Sequence, residues 1–397
     1  MKKLMILGAS YSQLPLIQAA KRLGVYTIAA STPGDWPGFF AADEMACVDI
    51  ASPDEVVREG KKRNIDGVAT CCLDAGMASI GALCQAMGLP GPTREAALLA
   101  SDKYRMKEAF RREGVVTAAY RCVKSREELE KALGELSFPV ILKAVDLMGS
   151  RGIFRCDSRE EALRNYERTM EATRRDYCLV EEFIQGTLFG AEAMVKDGRL
   201  LYFLADNTES LVTPEGIATP VGHSLPFEEE AALGSLVRKR VERAIRALGL
   251  DNCPVNCDLI RRGNQVYVVE LTGRAGGTCL PELVGACLGI DYYEAIVRLA
   301  LDMEVEVMFL QKKGHPAALS HILGSSEGGV VRAIHQGDLG GEDILDLSFN
   351  ISPGDQIRPY TNGRDRIGQV ILAGDTLEGC RRRLREILGK ISIEFEG

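Results

Sequence analysis

Two lysines occupy positions that a bound anion would explain. Lys103 begins a predicted helix over residues 102–112, although a cation is favoured at the opposite end of a helix. Lys143 ends an apolar predicted strand over residues 138–143, where an unpaired ammonium group would be costly to bury. A phosphate group near both lysines would compensate their charges. The alternative is that each lysine extends its ammonium group into water.

A glycine-containing loop follows the second of these lysines. It spans residues 146–152 and contains Gly149, Ser150, Arg151 and Gly152. Backbone amides in such a loop can point at phosphate oxygens, and the arginine adds a positive charge. The loop is not a P-loop, because no G-x4-G-K-[ST] motif occurs in the chain. The alternative is an ordinary surface loop.

Two acidic residues are placed to share a cation. Asp258 lies in one predicted strand and Glu270 ends the next, with a turn predicted at residues 261–264. If the strands are antiparallel, the two carboxylates converge on one face. Mg²⁺ prefers oxygen ligands and commonly combines one or two carboxylates with substrate phosphates. The alternative is a surface hairpin with a polar end.

An arginine follows this predicted hairpin within four residues. Arg274 could stabilise charge on a phosphoryl group in transfer. Gly276 and Gly277 behind it allow the backbone to approach a ligand closely. Lysines, loop, carboxylates and arginine together indicate phosphoryl-transfer chemistry.

The elements that would position these residues follow an α/β pattern. Over residues 1–100, short apolar runs alternate with helix-like segments, which predicts a doubly wound parallel sheet. Gly8 follows the first predicted strand, but the rest of a G-x-G-x-x-G fingerprint is missing, so an NAD site is disfavoured. Residues 101–305 alternate strands, helices and two predicted hairpins, and Ser101 is the predicted N-cap of the helix over 102–112. Residues 306–397 read as a smaller mixed unit.

Composition excludes several classes of protein. The 397 residues are 46% apolar and 26% charged, as in soluble globular proteins. The net charge of −8 argues against a general nucleic-acid or anionic-membrane binder. No apolar run reaches about 18 residues, so no membrane span is predicted. Twelve cysteines within a chain that shows no export signal predict reduced thiols in the cytoplasm.

Taken in order, these motifs resemble those of the ATP-grasp superfamily, which includes carboxylate–amine ligases, biotin carboxylase and carbamoyl phosphate synthetase. The resemblance covers nearly the whole chain. It implies an N-terminal α/β domain over residues 1–100, an ATP-grasp α+β domain over 101–305 and a C-terminal mixed cap over 306–397. Lys103 and Lys143 look like the two nucleotide lysines of the family, and residues 146–152 look like its phosphate loop.

The resemblance also implies an adenine site and metal ligands. Residues 179–186 look like the adenine-binding linker, where Glu181 would meet the adenine amino group and the backbone of Glu182 and Ile184 would read the ring edge. Asp258 and Glu270 look like the metal acids. Two positions depart from the usual family pattern, because Leu188 replaces a ribose-binding glutamate and Thr272 replaces an asparagine ligand.

Within the superfamily, the pattern around residues 270–277, with Gly222 and His223 upstream, looks most like that of L-amino-acid ligases. This implies an ADP-forming carboxylate–amine ligase that uses ATP and Mg²⁺, with Mn²⁺ as an alternative, and forms an acyl phosphate. Arg274 would act on the phosphate. His223 would orient the substrate or accept a proton from the amine, or else be merely structural. The expected substrates are an amino acid or a similar small carboxylate, together with an amine. A homodimer is expected, whereas binding to nucleic acid or to a membrane is not.

Two other functions stay open at this point. The C-terminal segment resembles the cap of biotin carboxylase, which favours a carboxylase-type or carbamoyl-phosphate-synthetase-like enzyme that activates bicarbonate. The departures at Leu188 and Thr272 favour a non-catalytic nucleotide-binding protein, whereas the presence of both lysines, both acids and Arg274 opposes it.

Overall fold

The computed structural model describes residues 1–147, 151–212, 216–310 and 314–396. The N-terminal part contains a four-stranded parallel sheet in the order β3–β2–β1–β4. Its elements are β1 (Lys3–Leu7), α1 (Leu14–Arg22), β2 (Tyr26–Ser31), α2 (Pro37–Ala41), β3 (Glu44–Cys47), α3 (Pro53–Arg63), β4 (Gly67–Ala69), α4 (Met77–Met87) and α5 (Arg94–Ala100). Packing on both faces buries the central strands, in agreement with the predicted doubly wound sheet.

The middle of the chain forms most of two antiparallel sheets. Its elements are α6 (Lys103–Arg112), β5 (Tyr120–Val123), α7 (Arg126–Leu133), β6 (Val140–Lys143), β7 (Ile153–Cys156), α8 (Arg159–Ala172), β8 (Cys178–Glu182), β9 (Thr187–Lys196), β10 (Arg199–Val212), β11 (Ala218–Leu225), α9 (Glu230–Leu248), β12 (Cys253–Arg262), β13 (Gln265–Thr272), α10 (Leu280–Leu288) and α11 (Tyr292–Ala300). The smaller sheet has the order β5–β8–β6–β7. The mixed α/β fold class is therefore confirmed.

The C-terminal strands extend the larger sheet of the middle part. The remaining elements are β14 (Ala317–Leu323), β15 (Gly329–Gln336), β16 (Ile344–Phe349), β17 (Gln356–Ile357), β18 (Gly368–Gly374), α12 (Leu377–Leu388) and β19 (Ile391–Phe395). Eight strands pair in the order β13–β12–β9–β10–β11–β14–β18–β16, and β17–β15–β19 form a separate sheet. The larger sheet thus contains strands from both sides of the predicted domain limit at residue 305. The domain limits at residues 100 and 305 stay a prediction.

The helix that carries Lys103 begins differently from the prediction. Asp102, not Ser101, is the N-cap of α6, because its carboxylate accepts hydrogen bonds from the amides of Tyr104 and Arg105, both at 3.0 Å. The Ser101 hydroxyl instead donates to the Ala97 carbonyl at 2.6 Å. The predicted cap was therefore wrong by one residue.

The N-terminal sheet docks on the larger sheet through the segment after β13. Cys71, just beyond β4, forms a parallel bridge with Ala275, and the Cys72 amide donates to the Ala275 carbonyl at 3.1 Å. A single hydrophobic cluster joins the two parts, with Ala9 and Cys71 on one side and Tyr292 on the other. The carboxyl end of β4 therefore lies beside Arg274.

Two further features bear on the sequence predictions. All twelve cysteines are free thiols. No helix within the described residues is both long and apolar enough to cross a membrane. The homodimer stays a prediction.

Candidate functional site

A cavity of about 540 Å³ lies between the smaller antiparallel sheet, the larger sheet and the loop after β4. Its wall includes most of the residues that the sequence singled out. Those among its lining are Lys103, Lys143, Glu181, Glu182, Ile184, Leu188, His223, Asp258, Glu270 and Arg274. The structure therefore brings together residues separated by up to 171 positions (103 to 274) in one place.

Glu181 lies inside the cavity wall between two lysines. Its carboxylate forms ion pairs with Lys143 through Oε1 and with Lys107 through Oε2. Burial raises the pKa of Glu181, but the two ammonium groups more than offset this and hold the pKa at about 2. The resemblance implied an adenine contact for this residue. That role stays a prediction, and the structure shows other partners for the carboxylate.

The segment after Glu181 forms one side of the cavity. The Glu182 amide donates to the Ala119 carbonyl at 2.9 Å, and the Glu182 carboxylate accepts from the Ser137 amide at 2.9 Å. The backbone amide of Glu182 is therefore not free to bind a ligand. Ile184 follows on the cavity wall and is buried. The adenine roles of both residues stay predictions.

Lys103 and Leu147 both line the cavity. The Lys103 ammonium donates to the Leu147 carbonyl at 2.7 Å and to Glu270 Oε1 at 2.8 Å. Burial lowers the pKa of Lys103, but neighbouring carboxylates, Glu270 first, more than offset this and raise it. The predicted phosphate-loop residues Gly149 and Ser150 lie outside the described residues.

Gly152 closes this loop against the end of β6. Its carbonyl accepts from the Ala144 amide at 2.9 Å, and its φ is +63°. A Cβ at this position would lie 2.8 Å from the side chains of both Ala144 and Ala172. A glycine is therefore required here by both conformation and space, while its predicted role in phosphate binding is untested.

The hairpin of β12 and β13 places Asp258 directly opposite Glu270, as the sequence predicted. Burial, together with the Glu270 carboxylate, raises the pKa of Asp258 from 3.8 to about 6. Within the described ranges, no three acidic, histidine or cysteine side chains cluster closely enough to hold a metal alone. Two adjacent carboxylates that line the cavity nevertheless fit Mg²⁺ that is bound partly through a nucleotide.

This pair of carboxylates leads to a prediction about stability. Because the pKa of Asp258 in the folded protein lies above its ordinary value of 3.8, the ionised carboxylate destabilises the fold above pH 6. Asp258→Asn should therefore raise the melting temperature of the ligand-free protein by a few degrees at pH 7.5. The gain should shrink as the pH falls from 6 towards 4, where the native carboxyl becomes neutral. Thermal unfolding at several pH values tests this, and a gain independent of pH would contradict it.

The guanidinium group of Arg274 is bound by Asp74, a residue of the N-terminal part of the chain. Its Nε donates to Asp74 Oδ1 at 2.5 Å and its Nη2 to Asp74 Oδ2 at 2.9 Å. Its Nη1 donates to Asn256 and to the Ala275 carbonyl, both at 3.1 Å. Four of its five N–H groups are thus engaged. The hydroxyl of Thr272 also donates to Asp74 at 3.0 Å, so the residue at the family's asparagine position is bound to a carboxylate.

His223 is held by a buried carboxylate. Its Nδ1 lies 2.6 Å from Asp206 Oδ1, and the residue is buried and lines the cavity. A Cβ at Gly190 would lie 2.4 Å from Asp206 Oδ2, so the glycine makes room for this carboxylate. If Nδ1 carries the proton that binds Asp206, Nε2 is left as a proton acceptor.

Four further polar residues complete the site and were not predicted from the sequence. They are Asp74, Lys107, Glu192 and Asp206. Glu192 is 1% exposed and accepts from the Gly276 amide at 3.1 Å, and burial raises its pKa well above the ordinary value. A sequence signal existed for two of them. Lys107 lies one helical turn after Lys103 on the same face, and Asp74 follows the carboxyl end of a predicted strand.

Comparisons with known proteins agree with this geometry. The family model described as "Phosphoribosylglycinamide synthetase, ATP-grasp (A) domain" matches residues 101–209, and that described as "L-amino acid ligase C-terminal domain 2" matches residues 321–396. Dapdiamide A synthase from Enterobacter agglomerans is 23% identical over 303 residues, covering 72% of this chain and 70% of that protein.

Several crystal structures match the entire chain. Phosphoribosylglycinamide synthetase from Anaerococcus prevotii is 40% identical with a TM-score of 0.84, and the match covers 100% of both chains. L-amino acid ligase from Bacillus licheniformis has a TM-score of 0.83 at 20% identity, covering 100% of this chain and 99% of that chain. The similarity to the Bacillus licheniformis enzyme shows a shared fold. The higher sequence identity to the Anaerococcus prevotii enzyme, over the full length of both chains, shows that the two proteins belong to one family.

Proposed function

The chain belongs to the ATP-grasp ligase family, and from that premise we propose that it is an ADP-forming carboxylate–amine ligase acting through an acyl phosphate. Membership makes the chain an enzyme, which removes the support for a non-catalytic nucleotide-binding protein. One observation carries the proposal. A single cavity holds buried lysines, a facing pair of carboxylates and a fixed arginine, and this combination of charges supports transfer of a phosphoryl group.

The proposed reaction has two steps. A carboxylate oxygen of the substrate attacks the γ-phosphorus of ATP, the bond to the β-phosphate oxygen breaks, and ADP leaves. The amine nitrogen of the second substrate then attacks the acyl carbon. The phosphate leaves with the original carboxylate oxygen, and the nitrogen loses a proton. The products are ADP, phosphate and an amide.

The residues of the cavity divide this work by position. Lys103 and Lys143 would offset phosphate charge, and Asp258 with Glu270 would hold Mg²⁺. The ion supplies further charge neutralisation when bound. Arg274, held by Asp74, would direct its remaining N–H group at the transferring phosphate. His223, held by Asp206, would accept the proton of the amine.

A second candidate is the joining of a phosphoribosylamine to glycine, which the name of the Anaerococcus prevotii relative suggests. The same reaction class applies, but the amine then carries a phosphate that needs cations. Three segments lie at the carboxyl ends of β1, β2 and β4, at residues 8–13, 31–38 and 70–75, on the same edge of the parallel sheet as the contact between Cys71 and Ala275. They contain Asp35 and Asp74 but neither lysine nor arginine. We therefore favour an unphosphorylated substrate such as an amino acid.

A screen of substrates tests the proposed reaction. ADP release would be measured with Mg-ATP and pairs of amino acids, with glycine plus phosphoribosylamine, and with bicarbonate alone. We expect release with one or more amino-acid pairs, together with an amide product. Release with bicarbonate alone would support the carboxylase-type alternative. Release only with phosphoribosylamine would establish the second candidate.

Nucleotide binding gives an earlier test that needs no substrate. Mg-ADP should raise the melting temperature, because a ligand that binds the folded state stabilises it. Lys143→Ala should lose most of that rise while remaining folded without nucleotide. The matched control is Lys131→Ala, since Lys131 is exposed on α7 away from the cavity. An unchanged rise in Lys143→Ala would remove Lys143 from the nucleotide site.

A further inference from the structure

Three buried charges in the cavity wall do not balance. Lys107 and Glu181 are each 2% exposed in their side chains, and the Lys143 side chain is 10% exposed. Two ammonium groups share one carboxylate, which leaves one positive charge in excess. A buried charge is stable only when a counter-charge offsets its lost hydration. All three residues line the cavity, so an anion in the cavity can supply that counter-charge.

The two lysines are held to different extents. The Lys107 ammonium also donates to the Thr117 hydroxyl at 2.7 Å, and that hydroxyl donates to the Val268 carbonyl at 2.7 Å. Across the part of the chain that the structure describes, the Lys143 ammonium has Glu181 as its single partner. Lys143 is therefore the lysine that can turn towards a ligand.

We propose that Lys107 is a positioning residue of the nucleotide site, which retains Glu181 when Lys143 leaves that carboxylate for a nucleoside polyphosphate. This inference rests on the proposed function only in that the cavity binds ATP. Without Lys107, the departure of Lys143 would leave the Glu181 carboxylate buried and unpaired. The binding of nucleotide would then have to overcome that cost.

Lys107→Met removes the charge and nearly keeps the length of the side chain. It should weaken Mg-ADP binding by roughly tenfold or more, the range for losing a partner of a buried charged group. Glu181→Gln in the same chain should restore most of the affinity, because Lys143 then has no carboxylate to leave. Lys107→Arg should bind nearly as the native protein does. Lys131→Met serves as the surface control.

Isothermal titration calorimetry with Mg-ADP measures these affinities. Rescue by the second substitution is the decisive result, since a merely structural role for Lys107 predicts a double variant no better than the single one. Native affinity in Lys107→Met, or an unrescued double variant, would overturn the inference. If Lys107→Met fails to fold, the double variant and Lys107→Arg decide by the same criterion of near-native affinity. Binding without ligase turnover would contradict the proposed function alone.

Discussion

Glu270→Gln is expected to abolish turnover and to make ATP affinity nearly insensitive to Mg²⁺. The substitution keeps the shape of the side chain but removes one of the two facing charges that would hold the ion. It also removes the ion pair with Lys103, whose ammonium lies 2.8 Å from Glu270 Oε1 in the ligand-free protein, and leaves that ammonium more able to bind phosphate. ATP binding without metal should therefore survive. Calorimetry with and without Mg²⁺, together with ADP release, measures both effects.

A surface glutamate gives the control for this variant. Glu327 is exposed on the turn before β15, and Glu327→Gln should retain native turnover and native metal dependence. If Glu270→Gln also kept metal-dependent binding and turnover, the hairpin carboxylates would be structural. The proposed metal site would then be wrong, whatever the outcome for the lysines.

Arg274→Lys is expected to lower kcat by roughly 10²-fold or more, the effect of losing a donor to a transition state. Nucleotide binding should remain, since the lysines and the carboxylates are unchanged. A lysine cannot replace the two-point contact with Asp74 or the additional bonds to Asn256 and Ala275. The positive charge would stay, but the fixed orientation of the hydrogen-bond donors would be lost. Steady-state kinetics with the substrate pair from the screen tests this.

Two further variants show whether the arginine acts through its orientation. Asp74→Asn should lower kcat without weakening nucleotide binding, and adding it to Arg274→Lys should cause little further loss, because both remove the same contact. Asp54→Asn, exposed on α3 and outside the cavity lining, is the matched control. Arg238→Lys, on the surface of α9, controls for the arginine change. Native kcat in Arg274→Lys would refute the assignment.

The sequence predicted the parts of this site that depend on local pattern. The alternation of apolar runs and helices gave the parallel sheet, and the spacing about the turn at 261–264 gave the register that opposes Asp258 to Glu270. Period-two alternation decides which face a strand residue occupies. The two lysines could also be identified from the local sequence, because Lys103 lies at the start of a predicted helix and Lys143 lies at the end of an apolar predicted strand.

The unpredicted residues depend on contacts across the fold. Asp74 and Arg274 are 200 positions apart, and their ion pair exists only because the N-terminal sheet docks beside β13. The role of Asp206 does not follow from the local sequence, because the space for its buried carboxylate depends on Gly190 in the neighbouring strand. The sharing of Glu181 by two lysines likewise depends on α6 packing against β8, the strand that carries Glu181. Such partners follow from tertiary packing, which local spacing does not determine.

The fate of one oxygen atom tests the central claim most directly. The carboxylate substrate identified by the screen would be labelled with ¹⁸O in both oxygens and incubated with Mg-ATP and the amine. When an acyl phosphate forms and breaks down, one carboxylate oxygen stays on phosphorus. Mass spectrometry should therefore find a single ¹⁸O in the released phosphate, and the nucleotide product should be ADP. Unlabelled phosphate, or release of AMP instead of ADP, would contradict the proposed mechanism.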